Sequence, residues 1–501
     1  MSPSSTAPAR VAFRVDSSIR LGSGHVIRCL TLADELRKRG AQMLFICREH
    51  PGNLIARIEQ EGHAVRRLPL PGNVAESSIL GAPAADDASD TAAALAAFRP
   101  HWLVTDHYGT AGQWERSLAL GEARLFVIDD FDRDHPAGVV LNQNWRADGA
   151  GWVADAGQVR LTGPRYALLR ADYAALHRVQ SKRGGNLRRV LVFFGGSDPT
   201  DETSKALAAL SLPPFDRLAV DVVIGANHPD PGRMQHLAAS RPATTLHRAL
   251  PSLAQLMAAA DLAIGAGGAT TWERLCVGVP SVVTTIAENQ ELGTSRLAAH
   301  GIVKYVGRSE QTTVDSYAQA LADPPRAPEF AARLVDGLGA LRVAELIVPT
   351  AQADLRLRRA TMQDAEALFE WRNEPTARAM SYSSDPVSWS GHVRWLEARL
   401  ASPHCLALLA EAQGLPVGQV RFDIEADRAV LSYALDVLVR GRGWSHWLVD
   451  SGVQLLRRQW PTLAVHAHVK VENSASRRVF SRLGWQERHD ERGLVYVAGS
   501  P

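Results

Sequence analysis

Two glycine-rich loops far apart in the chain are each built to hold a ligand, and they are of different kinds. Near the N-terminus, Gly22-Ser23-Gly24-His25 runs straight into a helical pattern. Gly22 and Gly24 permit a tight turn and close approach of a ligand to backbone. A neutral imidazole in the first helical turn, at His25, could take a proton from water near pH 7; local capping is the plainer role. Asp16, at the end of the first strand, could orient water, bind sugar hydroxyls or pair with Arg14 or Arg28. Asp106-His107-Tyr108 and Asp129-Asp130 close further strands. Carboxylates at several strand ends would either ring one site, with Tyr108 beside it, or form a solvated polar rim. No HExxH or regular His/Asp ligand set is present, so no metal is expected.

Farther on, Gly195-Gly196-Ser197-Asp198 and Gly265-Ala266-Gly267-Gly268-Ala269-Thr270-Thr271 are candidate phosphate seats. Small residues followed by threonine at a helix start offer backbone amides and hydroxyls to an anion. Glu273, in that helix's first turn, could accept hydrogen bonds from a ribose. Asn289 and Gln290 follow the next strand and could reach the same ligand. Neither loop matches GxxxxGK[ST], which disfavours an ATP-cleaving P-loop. Near the C-terminus, Arg440-Gly441-Arg442-Gly443-Trp444 lies between a strand and a long helix. Such a turn can cradle a pyrophosphate on its N–H groups, with Arg440 and Arg442 adding charge.

The elements that must position these groups fall into three segments. Val11–Val15, Met43–Cys47, Val65–Leu68, Trp102–Thr105 and Leu125–Ile128 read as short buried strands alternating with helices. Residues 71–90, rich in Ala, Gly, Pro and Asp, read as loop. Residues 180–186 read as a break, after which the pattern restarts with strands at 189–194, 220–224, 262–264 and 281–285. This alternation marks a mostly parallel sheet covered by helices on both faces. A third segment from about residue 354 has an α+β order. The expected fold is therefore α/β, with lobes at 9–180 and 185–346 and a third domain at 354–501.

Two groups of motifs carry resemblances. "RVDSSIRLGSGHVIRCLTLADEL", "VTDHYG", "VIDDFDRDH", "FFGGSDP", "GAGGATTWERLCVGVPSV" and "AENQ" resemble the pseudaminic-acid pathway hydrolases that remove UDP from UDP-2,4-diacetamido-2,4,6-trideoxy-β-L-altropyranose. These are related to two-lobed GT-B glycosyltransferases. The resemblance covers residues 11 to about 345. It implies two Rossmann-like lobes in a GT-B arrangement and His25 as catalytic base, with no metal required. It also implies Gly196, Gly267, Gly268, Thr270, Thr271 and Glu273 around UDP, with Asn289 and Gln290 nearby. "VLVRGRGW" and "VKVENSASRRVFSRLGW" resemble the GNAT acetyltransferases, over residues 354–498. That resemblance implies acetyl-CoA as cosubstrate, with Val437, Val439, Arg440, Gly441, Arg442, Gly443, Trp444, Asn473, Arg477 and Phe480 on the acetyl-CoA side. The family often has tyrosine where Phe480 stands. A phenyl ring donates no proton to a departing thiolate, so water or another hydroxyl, such as that of Tyr433 or Tyr496, would have to serve.

Together the resemblances imply consecutive steps on one chain: N-acetylation of a 4-amino UDP-sugar, then hydrolysis of the product. A glycosyltransferase fused to an unrelated acetyltransferase, or an inactive UDP-sugar module, remains the rival reading. The partners that the resemblances imply are UDP-sugar and acetyl-CoA. The 501 residues carry a formal net charge of +2, which gives no support to nucleic-acid binding. Cys29, Cys47, Cys276 and Cys405 lack metal-knuckle or CxxC spacing and are expected to be buried thiols. No apolar run approaches the roughly 18 residues of a membrane span. A cytoplasmic protein is expected, either monomeric or a homo-oligomer.

Overall fold

In the computed structural model, residues 7–72, 79–146, 151–155, 157–179, 186–326, 328–491 and 493–498 are described. The chain divides into two compact units, Met1–Val348 and Pro349–Pro501.

The first unit holds two sheets. One contains β1 (Arg10–Val15), β2 (Gln42–Arg48), β3 (Ala64–Leu68), β4 (Trp102–Asp106), β5 (Arg124–Ile128), β6 (Val139–Asn142), β7 (Gly151–Asp155) and β8 (Gln158–Thr162). Their spatial order is β3-β2-β1-β4-β5-β6-β8-β7. All neighbours are parallel except β7 with β8. The second sheet contains β9 (Arg189–Phe193), β10 (Ala219–Ile224), β11 (Thr244–Arg248), β12 (Leu262–Ala266), β13 (Ser281–Thr285) and β14 (Lys304–Arg308), in the order β11-β10-β9-β12-β13-β14. It is wholly parallel. Each sheet thus runs outward in both directions from its first strand, the doubly wound pattern of a Rossmann-like lobe. Ligands in such folds sit beyond the strand C-termini where the order reverses, between β1 and β4 and between β9 and β12.

Apolar alternation fixes which helix covers which face. Val11, Phe13 and Val15 of β1 pack with Trp102 and Val104 of β4 and with Val26, Cys29, Leu30 and Ala33 of the helix Gly24–Lys38. Ala12, Ile46 and Leu103 face the opposite side, where Ala88, Ala94 and Leu95 pack.

The structure corrects two expectations here. Residues 84–95, whose first part was read as loop, form a helix. Alanine is the best helix former, and Asp86 and Asp87 fall in its first turn, where carboxylates are favoured. The helix Gly339–Ile347, assigned by sequence to the second lobe, buries Ala340, Val343, Ala344 and Ile347 in the core of the first. Arg39 ties it there through Glu345, at 2.5 Å. In return Tyr173, on the helix Ala171–Arg178, packs in the core of the second lobe.

The second unit has one sheet of β15 (Leu355–Arg359), β16 (Cys405–Ala412), β17 (Leu415–Ile424), β18 (Arg428–Leu435), β19 (Ala464–His468), β20 (Gln486–Asp490) and β21 (Gly493–Ala498), ordered β15-β16-β17-β18-β19-β21-β20. Neighbours are antiparallel except the parallel pair β18 and β19. That pair is joined only over Arg428–Val430, opposite Ala464–His466. Beyond Val430 the two strands part, and the helices Trp444–Gln459 and Ser474–Arg482 flank the gap. The expected α/β class, two Rossmann-like lobes followed by an α+β domain, is what the structure shows. Among the described residues no helix is long and apolar enough to cross a membrane.

Candidate active sites

Sheet register builds the first site. Asp106 ends β4 in register with Val15 of β1. It therefore points to the side covered by the helix Gly24–Lys38, toward its first turns. There His25 Nδ1 lies 2.6 Å from Asp106 Oδ1. Arg28, one turn along, grips the same carboxylate with Nε to Oδ2 and Nη2 to Oδ1, both at 2.6 Å. It also reaches Asp130 at 3.0 and 3.1 Å. Burial opposes ionisation of Asp106, but Arg28 and His25 outweigh it and hold the carboxyl well below the usual range. An ionised carboxylate only accepts, so His25 Nδ1 carries the proton. That choice also excludes the longer 3.3 Å approach of Arg28 Nη2 as a donor to Nδ1. The tautomer leaves Nε2 with its lone pair, and among the described residues nothing hydrogen-bonds it. A histidine oriented by a buried carboxylate is the arrangement of a general base.

Tyr108 stands edge-on to the His25 ring, with centroids 4.5 Å apart. Its hydroxyl donates to Asp130 at 3.2 Å and accepts from Asn289 of the second lobe at 2.6 Å. Gly196 approaches the mouth of the His25 helix from the same lobe: a Cβ on it would fall 3.2 Å from Ser23 Oγ. The glycine loops of the two lobes thus face each other beside His25.

Asp16 is not among these groups. Being one residue past Val15, it has the opposite parity and lies on the far face of the sheet, fully buried. Its carboxylate accepts from Arg14 and from the Arg48 N–H, both at 2.7 Å. Arg14 and Arg48 in turn hold Asp87, which also accepts from Trp114. This network pins the helix Ala84–Leu95 to β1 and β2. His107 lies 3.4 Å from Asp16; burial lowers its pKa to about 4, so its imidazole is neutral.

The second lobe gathers the remaining expected residues around the end of β12. A Cβ on Gly267 would fall 2.2 Å from Thr294 Oγ1 and 3.3 Å from Gln290 Cβ, and one on Gly268 would meet Gln290 Nε2 at 3.5 Å. Gln290 Oε1 accepts from the Ile286 N–H at 3.1 Å, folding its side chain back over the loop. Thr270 and Thr271 begin the helix Thr270–Val277 and accept from Arg274 through their hydroxyls. Glu273 is half-buried. Burial pushes its carboxyl up to about 7, against the lowering effect of the neighbouring Tyr173 hydroxyl. Asp198 caps the helix Glu202–Leu210, accepting from the N–H groups of Glu202 and Thr203.

In the second unit, Gly441 and Gly443 have φ of +83° and +79°, in the left-handed region, and a Cβ on either would meet nothing within 4 Å. Conformation, rather than crowding within the protein, is what requires glycine there. Val437 and Val439 form a short turn whose Leu438 N–H is held by Asp436. The other oxygen of Asp436 accepts from Trp371 Nε1 at 2.8 Å, so this carboxylate is occupied. Val439 and Trp444 are buried in the core. Arg442 lies over the Trp444 ring, 5.2 Å from its centroid. Arg440 pairs with Glu374 at 2.7 Å. Asn473 caps the helix Ser474–Arg482 by accepting from the Ser476 N–H. Arg477 turns toward Tyr496 and the Val471 carbonyl.

Phe480 is buried among Tyr433, Trp485 and Tyr496, at centroid distances of 5.9, 4.9 and 5.4 Å. The Tyr433 hydroxyl pairs with Ser476 Oγ at 3.0 Å, on the part of β18 that has separated from β19. The Tyr496 hydroxyl is engaged by Glu487. The sequence marks Asp106 only as one of several strand-end carboxylates and Arg28 only as a partner for Asp16; their pairing with His25 is set by strand register. Among the described residues no group of three or more His, Cys, Asp or Glu side chains is placed to hold a metal ion.

Residues 354–486 match the acetyltransferase (GNAT) domain family, so the second unit contains an acetyltransferase domain. Over 95% of its length the chain is 21% identical to an uncharacterized protein of Methanocaldococcus jannaschii, spanning 97% of that protein. The first unit is related to the UDP-2,4-diacetamido-2,4,6-trideoxy-β-L-altropyranose hydrolase of Campylobacter jejuni. The two are 24% identical over 58% of this chain and 97% of the hydrolase. Among solved structures, MurG of Acinetobacter baumannii aligns with 68% of this chain and 99% of its own length, at 15% identity and a TM-score of 0.45.

Proposed function

We propose that the protein is a bifunctional sugar-nucleotide enzyme. Its first unit hydrolyses UDP-2,4-diacetamido-2,4,6-trideoxy-β-L-altropyranose to the free sugar and UDP. Its second unit acetylates the 4-amino group of the precursor UDP-sugar with acetyl-CoA. The observation that carries the hydrolase half is the His25–Asp106 pair, with Nε2 open beside the meeting loops of two Rossmann-like lobes. His25 Nε2 takes a proton from water, and the water oxygen attacks the anomeric carbon. The bond from that carbon to the phosphate oxygen breaks, and UDP leaves with the electron pair. Arg28 keeps Asp106 ionised, and Asp106 stabilises the imidazolium that forms. The relative's hydrolase activity supports this half.

In the acetyltransferase half, the sugar amine attacks the thioester carbonyl, the carbon–sulfur bond breaks, and the proton that the nitrogen loses passes to water. The departing thiolate needs a proton, and Phe480 has none to give. Tyr433 is the hydroxyl at the gap between β18 and β19, and its burial favours the protonated form. It donates that proton and recovers one from water relayed by Ser476.

Incubating the protein with the 4-amino UDP-sugar, with and without acetyl-CoA, tests both halves. N-acetylation followed by UDP release without an added acceptor is the expected result. Acetylation without UDP release would make the first unit a binding module. UDP release only with a second sugar or lipid acceptor would make it a glycosyltransferase.

A further inference from the structure

Beneath the loop that follows β12 lies a cation that neither reaction uses. Arg274 is 2% exposed, on the helix Thr270–Val277, and forms no ion pair among the described residues. Its Nη1 donates to Thr270 Oγ1 at 3.2 Å, and its Nη2 to Thr271 Oγ1 at 3.0 Å and the Ala266 carbonyl at 2.9 Å. Its Nε is buried with no partner. Gly265 makes room for it, because a Cβ there would fall 2.9 Å from Nη1 and 2.4 Å from the Phe193 carbonyl oxygen. On the other side of the loop, Thr294 is equally buried and its Oγ1 is likewise unpartnered, set against Gly267.

This is an unfavourable place for a positive charge. The N-terminus of a helix is itself positive and repels a cation. A buried charge without a counter-ion destabilises the fold. Burial lowers the Arg274 pKa to about 10, with Glu273 acting in the opposite direction. An anion seated on the loop would reverse each of these terms. The half-buried Thr270 hydroxyl is also polarised for it: its oxygen accepts from the guanidinium, so its own proton is free to donate to the anion. The first-turn N–H groups of the helix lack intrahelical acceptors and point the same way.

We propose that Arg274 is a positioning residue for a bound diphosphate, turning the half-buried Thr270 hydroxyl toward it as a donor and supplying the buried charge that the phosphates neutralise. This rests on the reading of the first unit as a UDP-sugar site. Titration calorimetry with UDP, inorganic pyrophosphate and uridine, on wild type and Arg274→Met, tests it. Wild type should bind UDP more tightly than either fragment. Arg274→Met should weaken UDP and pyrophosphate by roughly 10- to 100-fold, the range expected for charge-assisted contacts, and leave uridine unchanged. The ligand-free variant should melt no lower than wild type, since an uncompensated charge has been removed. A purely structural arginine would instead lower the melting temperature and leave pyrophosphate affinity alone, which would overturn the proposal. If Arg274→Met does not fold, Arg274→Lys decides, because it keeps the charge but loses the fork. A several-fold loss of pyrophosphate affinity supports the role, and wild-type affinity overturns it. Should wild type bind pyrophosphate as tightly as UDP, the uridine reading fails while the anion seat stands.

Discussion

Replacing Asp106 with asparagine removes one charge and one acceptor, and the geometry dictates the consequence. Asp106 Oδ1 receives His25 Nδ1 and Arg28 Nη2, and Oδ2 receives Arg28 Nε, each at 2.6 Å. An amide has a single oxygen, so its nitrogen must face a donor in either orientation. With the nitrogen at the Oδ1 position, His25 Nδ1 must become the acceptor, and its proton moves to Nε2. The base is then blocked. With the nitrogen at the Oδ2 position it opposes Arg28 Nε, and the imidazolium formed during the reaction loses its counter-charge. Both arrangements predict a fall in kcat for UDP release of roughly 10²- to 10⁴-fold, or about 3 to 5 kcal/mol at 1.36 kcal/mol per decade. Arg28 retains Asp130, so the fold should persist. The assay is UDP release from saturating acetylated substrate, with acetyl transfer by the same preparation as internal control. His25→Asn should show a comparable loss. The double variant should be little worse than the poorer single one, as for residues acting together. A kcat for Asp106→Asn within about threefold of wild type would refute the assignment of His25 as base.

Three further outcomes are expected. Gly443→Val should weaken acetyl-CoA binding in a titration at least tenfold and cost roughly 1–2 kcal/mol of stability from the left-handed backbone alone, since no neighbour lies within 4 Å; wild-type affinity would move the pyrophosphate site elsewhere. Tyr433→Phe should slow pre-steady-state acetyl transfer, and Phe480→Tyr in that background should restore part of the rate if its hydroxyl reaches the same gap; an unaffected Tyr433→Phe would assign the proton to water. Glu273 has its carboxyl pushed up to about 7, so the neutral form is favoured in the fold. That contribution is complete below about pH 4.5, the unfolded value, and is lost as pH rises through 7. Glu273→Gln should therefore raise the melting temperature at pH 8 and change it little at pH 4; equal shifts at both would show that this carboxyl does not titrate as described.

Much of this architecture was readable from local pattern. The strands at 220–224 and 281–285 and the helix start at Thr270 need only neighbouring residues to specify them, and they stand where the sequence puts them. What escaped depends on register and on contacts distant in sequence. Asp16 and Asp106 both end parallel strands, and nothing local distinguishes them. Pairing of Val15 with Asp106 sends one carboxylate to the His25 face and the other to the Arg14–Asp87 face. A shift of one residue would exchange them, because side chains alternate along a strand. The helix Gly339–Ile347 is amphipathic whichever lobe it covers, so its apolar face reveals that it packs but not against what. Phe480 shows the complementary limit. Its motif position signalled a missing hydroxyl, yet only the separation of β18 from β19 brings Tyr433 and Ser476 beside its ring. Both proposed sites thus share one property. The loops that receive ligand are legible as runs of glycine, because backbone conformation is a local matter. The side chains that make those loops reactive are supplied by strand ends and helix turns up to 181 residues apart, as from Tyr108 to Asn289, and only the folded topology selects them.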